Sequence, residues 1–287
     1  MRPLTLTPQH LSLNTATLGP GASLHDAVQG CVKYGFGGIA PWRDKVAEIG
    51  LSQASRLIRD AGLQVSGLCR GGMFPAASRT EREKIRVDNL RAIDEAAALE
   101  AACLVLVVGG LPAGSRDLDN ARQQVEDGIA DMLEHARMAN VRLAIEPLHP
   151  MYAGDRACIN TLAQALSLCE RLGADVGIAA DVYHIWWDPD IVTQLQRAAN
   201  MQRLLAFHLS DWLVPTRHLL TDRGMPGDGV INLSHLCQTI ADTGYQGLYE
   251  VEIFSAENWW RQPVDTTLST LVKRLEHLNN TGDRHED

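Results

Sequence analysis

The chain has 287 residues, 45% of them hydrophobic and 21% charged, and 35 acidic against 26 basic side chains give a formal net charge of −9. That length allows either two ordinary domains or one α/β barrel of about 250 residues, so residue order must decide. The acidic balance argues against a general attraction to phosphate backbones or anionic membranes, which makes nucleic acid a poor expected partner.

Short apolar or β-branched runs alternate along the chain with longer stretches of helical period. The first strand is LSLNTATL from Leu11, followed by the helix SLHDAVQGCVKYG, which stops at Gly35. The strand GGIAPW from Gly37 precedes KVAEIGLSQASRLIRDAG, stopping at Gly62, and QVSGLCR from Gln64 precedes TEREKIRVDNLRAIDEAAALEA. CLVLVVG from Cys103 leads into LDNARQQVEDGIADMLEHARMAN, which closes at Asn140, and RLAIEPL from Arg142 leads into NTLAQALSLCERLG, which closes at Gly173. VGIAADVYH from Val176, LLAFHLSDW from Leu204 and GLYEVEIFS from Gly247 complete the strands, with LSHLCQTIADTG closing at Gly244 before the last. Gly and Asn at these closures suit left-handed C-terminal positions, where a small side chain lowers the steric cost.

No Pro/Ser-rich linker interrupts the eight units. The expected fold is therefore α/β, a single (β/α)₈ TIM barrel over residues 1–278 with a polar C-terminal tail over 279–287. An open doubly wound sheet is the alternative. Six scattered cysteines without C-x-x-C spacing suggest reduced thiols in a cytoplasmic protein. With no sustained apolar run of about 18 residues, neither export nor membrane spanning is expected.

In such a barrel the chemistry collects at the C-terminal ends of the strands. Strand five ends in LAIEPLHP with Glu146, strand six in AADVYHIWWD with Asp181 and His184, strand seven in AFHLSDW with His208 and Asp211, and strand eight in YEVEIFS with Glu250 and Glu252. A charged residue between aliphatic neighbours in a buried strand is costly unless it is paired or holds an ion. Glu146, Asp181, His208 and Glu252 supply three carboxylates and an imidazole, a hard donor set suited to one divalent metal ion. Mn²⁺ is the expected ion, with Mg²⁺, Co²⁺ or Zn²⁺ as substitutes. Glu250 and Glu252 share a face of their strand; Glu252 is the expected ligand because it lies nearer the C-terminal end, with Glu250 one layer deeper.

The ordered segments EPLHP, DVYH, FHLSD, RGMPGDG and YEVEIFS resemble the xylose-isomerase-like, endonuclease-four-like superfamily of sugar phosphate isomerase and epimerase barrels. The resemblance covers nearly the whole chain. It implies that Glu146, Asp181, His208 and Glu252 bind the metal, and that Glu146 and Glu252 are also the catalytic acid and base on opposite faces of the reacting carbon. The implied activity is a metal-dependent sugar isomerase or epimerase that moves a proton on a keto sugar or related polyol through a metal-bound enediolate. His184 and Arg223 resemble residues that contact the substrate in this family.

His149 and Arg70 are further candidates for substrate binding on the mouth of the barrel. Trp42, Arg43, Trp259 and Trp260 could stack on or hold a sugar, while Trp186, Trp187 and Asp188 could close the pocket or pair subunits. Asp211 reads equally as a partner of the metal ligands or as a loop cap. A small-molecule carbohydrate is the expected partner, with no nucleic acid and no membrane, and a homo-oligomer is left open. The runner-up activity is a keto-inositol or keto-sugar dehydratase with the same metal site. A DNA-repair endonuclease fits worse, since CRGG, VVGG and Asp222-Arg223-Gly224 stand where the repair enzymes carry the histidines of a three-metal cluster. No long glycine-rich phosphate cradle stands out, which favours a non-phosphorylated polyol.

Overall fold

The computed structural model describes residues 4–279. Its parallel strands are β1 (Leu11–Asn14), β2 (Gly38–Ala40), β3 (Gln64–Val65), β4 (Leu68–Gly72), β5 (Leu104–Val107), β6 (Leu143–Ile145), β7 (Val176–Asp181) and β8 (Leu204–Leu209). β9 (Asp211–Trp212) and β10 (Arg223–Gly224) form a separate antiparallel pair, and β11 (Tyr249–Val251) returns to the main sheet. That sheet has the order β3-β2-β1-β11-β8-β7-β6-β5-β4.

The expected third strand, QVSGLCR, is divided. Gln64–Val65 pairs with β2, whereas Leu68–Gly72 pairs with β5 and shifts register between Cys69 and Gly71. A segment that changes neighbour part-way cannot keep one unbroken ladder, so the run yields two short strands.

The described chain divides into two compact units, one running to Ser66 and resuming at Phe207, the other Gly67–Ala206. In the first, β1 lies between β2 and β11, with Leu13 opposite Ile39 and Val251, and β11 continues onto β8 with Glu250 opposite His208. All four residues of β1 are buried, as a parallel strand covered on both faces requires. In the second unit β4, β5, β6 and β7 pair in sequence. Cys103, Val105, Ala144, Ala179 and Ala206 form a buried cluster of small side chains there.

Helix boundaries follow local chemistry. Ser23 accepts from the Asp26 N–H while Asp26 accepts from the Ser23 N–H, and Gly35 closes that helix with φ +73°; the same box recurs at Ser78 and Glu81. Such caps satisfy N–H groups that the helix leaves without partners. The expected single helix after β2 is two, Arg43–Ile49 and Leu51–Asp60, because Gly50 between them has φ +83°. The helix after β5 is likewise divided into Leu118–Ala130 and Leu133–Met138.

The last helix, Val264–Asn279, takes in the first residue of the expected tail, and Asn279 exchanges hydrogen bonds with the backbone of Leu6. The remainder of that tail, 280–287, lies outside the described residues. Among the described residues, no helix is long and apolar enough to cross a membrane.

All six cysteines are free and buried. Burial pushes the Cys31 and Cys169 thiols up to about 12 and Cys158 up to about 11, so thiolate is scarce at these sites. Native protein treated with iodoacetamide at pH 8 should show no adduct by intact mass, and denatured protein should show six. Rapid adduct formation on the native chain would contradict this packing.

Candidate metal centre

In the first unit the site is built on β1, β8, β10 and β11. Glu250 and Glu252 are 1% and 4% exposed and project to the same side of β11. Between them lies Asn14 at the end of β1, whose Nδ2 donates to Glu250 Oε1 at 2.8 Å and to Glu252 Oε1 at 3.0 Å. Asn14 Oδ1 accepts from Trp42 Nε1 and from the Ala16 N–H, both at 2.9 Å. Glu250 Oε2 accepts from Ser66 Oγ at 2.8 Å, and Ser66 in turn shares a hydrogen bond with Ser12.

The His208 ring stands between the two glutamates, with Nε2 3.6 Å from Glu250 Oε1 and Nδ1 4.0 Å from Glu252 Oε2. Arg223 is buried: its Nη1 donates to Glu252 Oε2 and to the Glu252 carbonyl, each at 3.2 Å, and its guanidinium lies 5.0 Å from the centre of the Phe254 ring. The arginine expected to reach a substrate is thus engaged with the side chain and backbone of Glu252.

Asp211 resolves as the organiser of the loop that follows. Its Oδ2 accepts from the N–H groups of Gly227 and Gly229 and its Oδ1 from those of Ile231 and Trp212. Burial pushes its carboxyl above the usual range, against the opposing pull of these four donors.

In the second unit, Glu146 directly follows β6 and its N–H continues the ladder to Leu106 O. Asp181 closes β7 and caps the short helix Val182–Ile185 by accepting from the Tyr183 N–H. His184 sits on that helix, with Nε2 3.7 Å from Asp181 Oδ2 and its ring edge-on to Tyr152 and Tyr183. His149 is half-buried, caps the turn Pro150–Tyr152 and packs edge-on to Trp187; burial pulls its pKa below the ordinary histidine value. Arg70 is half-buried at the register shift of β4.

Glu146, Asp181, His208 and Glu252 are all buried, and each offers one ligand atom such that the four atoms lie within 4.8 Å of one another. Donors about 2.0–2.6 Å from a shared cation stand at most about 5 Å apart, so this spread fits a single ion. Three carboxylates and an imidazole form an anionic, hard donor set that a divalent cation neutralises.

The description "xylose isomerase-like TIM barrel" belongs to a family model that matches residues 28–270. The chain belongs to that family. Its fold is accordingly the α/β TIM barrel, the class expected from the strand and helix alternation. The barrel is 56% identical to protein SMc04130 from Sinorhizobium meliloti 1021, a solved structure, with a TM-score of 0.93 over 95% of this chain and 99% of that one. It is 28% identical over 158 residues to the inosose isomerase of Halalkalibacterium halodurans, which is 51% of this chain and 54% of that protein, so the match spans about half of that relative. A third similarity, 24% over 229 residues and 74% of each chain, is to the L-ribulose-5-phosphate 3-epimerase UlaE of Escherichia coli O1:K1 / APEC.

Sequence reasoning missed Asn14, Ser66 and Ser12. The available signal was the polar pair Ser12 and Asn14 alternating with Leu11 and Leu13 in an otherwise buried strand. Trp42 and Trp260, read as sugar-stacking candidates, spend their indole N–H groups internally on Asn14 Oδ1 and Ala16 O.

Proposed function

We propose that this barrel is a divalent-metal-dependent isomerase or epimerase that moves a proton on a keto sugar or related polyol such as an inosose. The reading rests above all on the four-residue cluster, in which two of the four clustered side chains are glutamates at strand ends. The relatives named as an inosose isomerase and a ribulose-5-phosphate epimerase support the same class. Residues 1–278 are taken as one barrel domain because the family match crosses both compact units. Mn²⁺ is assigned as the ion on the carboxylate-rich donors, and the cytoplasm as the location on the six free, buried thiols.

Glu146, Asp181, His208 and Glu252 would hold the cation. When bound, it would supply Lewis acidity to the carbonyl and neighbouring hydroxyl oxygens of the substrate, which acidifies the adjacent C–H. One of Glu146 and Glu252 removes that proton and the other delivers a proton to the opposite face, which inverts the carbon. Arg223 holds Glu252 Oε2, so this carboxylate meets the substrate in one orientation. His184, its ring set by Tyr152 and Tyr183, donates to or accepts from a substrate hydroxyl, and His149 and Arg70 extend the polyol contacts.

The test is to strip the protein with chelator, reload it with Mn²⁺, and screen ketoses, inososes and ketose phosphates in deuterated water. Metal-dependent interconversion with one solvent deuterium at the product carbon is expected. Product without deuterium would replace proton transfer by a hydride shift, and a dehydrated product would make the enzyme a lyase. Absence of both Mn²⁺ binding and turnover would overturn the reading.

A further inference from the structure

Asn14 is fully buried, and every polar hydrogen and acceptor site of its amide is assigned. The two hydrogens on Nδ2 go to Glu250 and Glu252, while Oδ1 takes the Trp42 indole N–H and the Ala16 N–H. The amide cannot be turned over without setting four like groups against each other, two donors on its oxygen side and two carboxylates on its nitrogen side. Its orientation is therefore fixed by bonds on both ends.

The chemistry of an amide suits this place. Glu250 and Glu252, two residues apart at the end of β11, repel, and Arg223 offsets part of that repulsion from the Glu252 side. The neutral Asn14 amide bridges both carboxylates and leaves their negative charge in place. That charge is what a base needs to accept a proton and what a carboxylate ligand offers to a metal ion.

We propose that Asn14 is a positioning residue for Glu252, fixing the direction of its carboxylate through the bridge from Trp42 to Asn14 to the Glu250–Glu252 pair. The proposal rests on the reading of Glu252 as ligand and base given above. Asn14 also caps the turn Thr15–Leu18, so a purely structural role must be separated from positioning.

Aspartate separates them. It caps a helical turn as well as asparagine does and keeps acceptors for Trp42 and Ala16, yet as a carboxylate it has no hydrogen to give either glutamate, and as a carboxylic acid it has one where the amide has two. Asn14→Asp and Asn14→Ala proteins are to be compared with the wild type, each loaded with Co²⁺, for thermal midpoint, Co²⁺ affinity, visible d–d spectrum, kcat and KM.

The expected result is that both variants fold, that the d–d spectrum changes in both, and that kcat falls about 10- to 100-fold with KM within about threefold. Aspartate should not rescue what alanine loses. Trp42→Phe, which removes one donor from Asn14 Oδ1 and leaves both carboxylate bonds, should lower kcat by a few-fold, and it serves as the milder variant if the Asn14 proteins do not fold. A native spectrum and kcat in folded Asn14→Ala, full rescue by Asn14→Asp, or a native spectrum and kcat in Trp42→Phe when the Asn14 proteins do not fold, would overturn the positioning role while leaving the metal-dependent reading intact. Failure of the wild type itself to bind Co²⁺ or turn over any ketose or inosose would overturn both.

Discussion

Glu146→Gln and Glu252→Gln proteins should each retain divalent metal, with weakened affinity, while turnover falls by about 10²–10⁴-fold, the usual worth of a positioned general base or acid. Glutamine keeps the length of the side chain and one coordinating oxygen but removes the site that accepts a proton. Both oxygens of Glu252 accept hydrogen bonds, one from Asn14 and one from Arg223, so an amide there turns its NH₂ toward an existing donor. Glu252→Gln should therefore melt at a lower temperature than the wild type. Each variant should also lose exchange of the substrate's carbon-bound hydrogen with solvent, read by proton NMR in deuterated water. Near-native turnover in either metal-loaded variant would remove that glutamate from the acid/base pair.

Asp211→Asn should be among the most destabilising single substitutions in the chain. The carboxylate accepts four backbone N–H groups, two on each oxygen, and asparagine can serve only the two that face its oxygen. Two buried donors left unsatisfied cost about 2–6 kcal/mol together, a large share of the 5–15 kcal/mol by which a typical domain is stable. The thermal midpoint should drop by about 5 °C or more. Turnover should fall as well, because the loop that these bonds shape begins at Arg223, whose guanidinium holds Glu252. Calorimetry and kinetics on the same preparation check both effects, and a variant as stable as the wild type would show that the loop is held by other contacts.

Much of this protein was legible in its residue order because the relevant physics is local. A helix period, a Ser or Thr cap and a Gly or Asn at a left-handed closure act over a few residues, and Gly35, Gly62, Asn140, Gly173 and Gly244 all take the positive φ that their positions suggested. The four residues singled out at successive strand ends are those whose ligand atoms cluster, since parallel strands in one sheet bring their C-terminal ends to one side. What the order of residues could not decide were pairings between distant segments. Asn14 meets Glu250 and Glu252 across more than two hundred residues, and only the pairing of β1 with β11 makes that bridge. Arg223 reads in the sequence as a loop arginine facing solvent or substrate, yet it is buried because the antiparallel pair of β9 and β10 and the Phe254 ring enclose it. QVSGLCR reads as one strand by composition and becomes two because its halves pair with β2 and with β5. Periodicity and capping marked the elements and charged residues at the strand ends supplied the metal-ligand candidates, whereas the hydrogen-bond partners of Glu252 depended on which strands the tertiary structure set side by side.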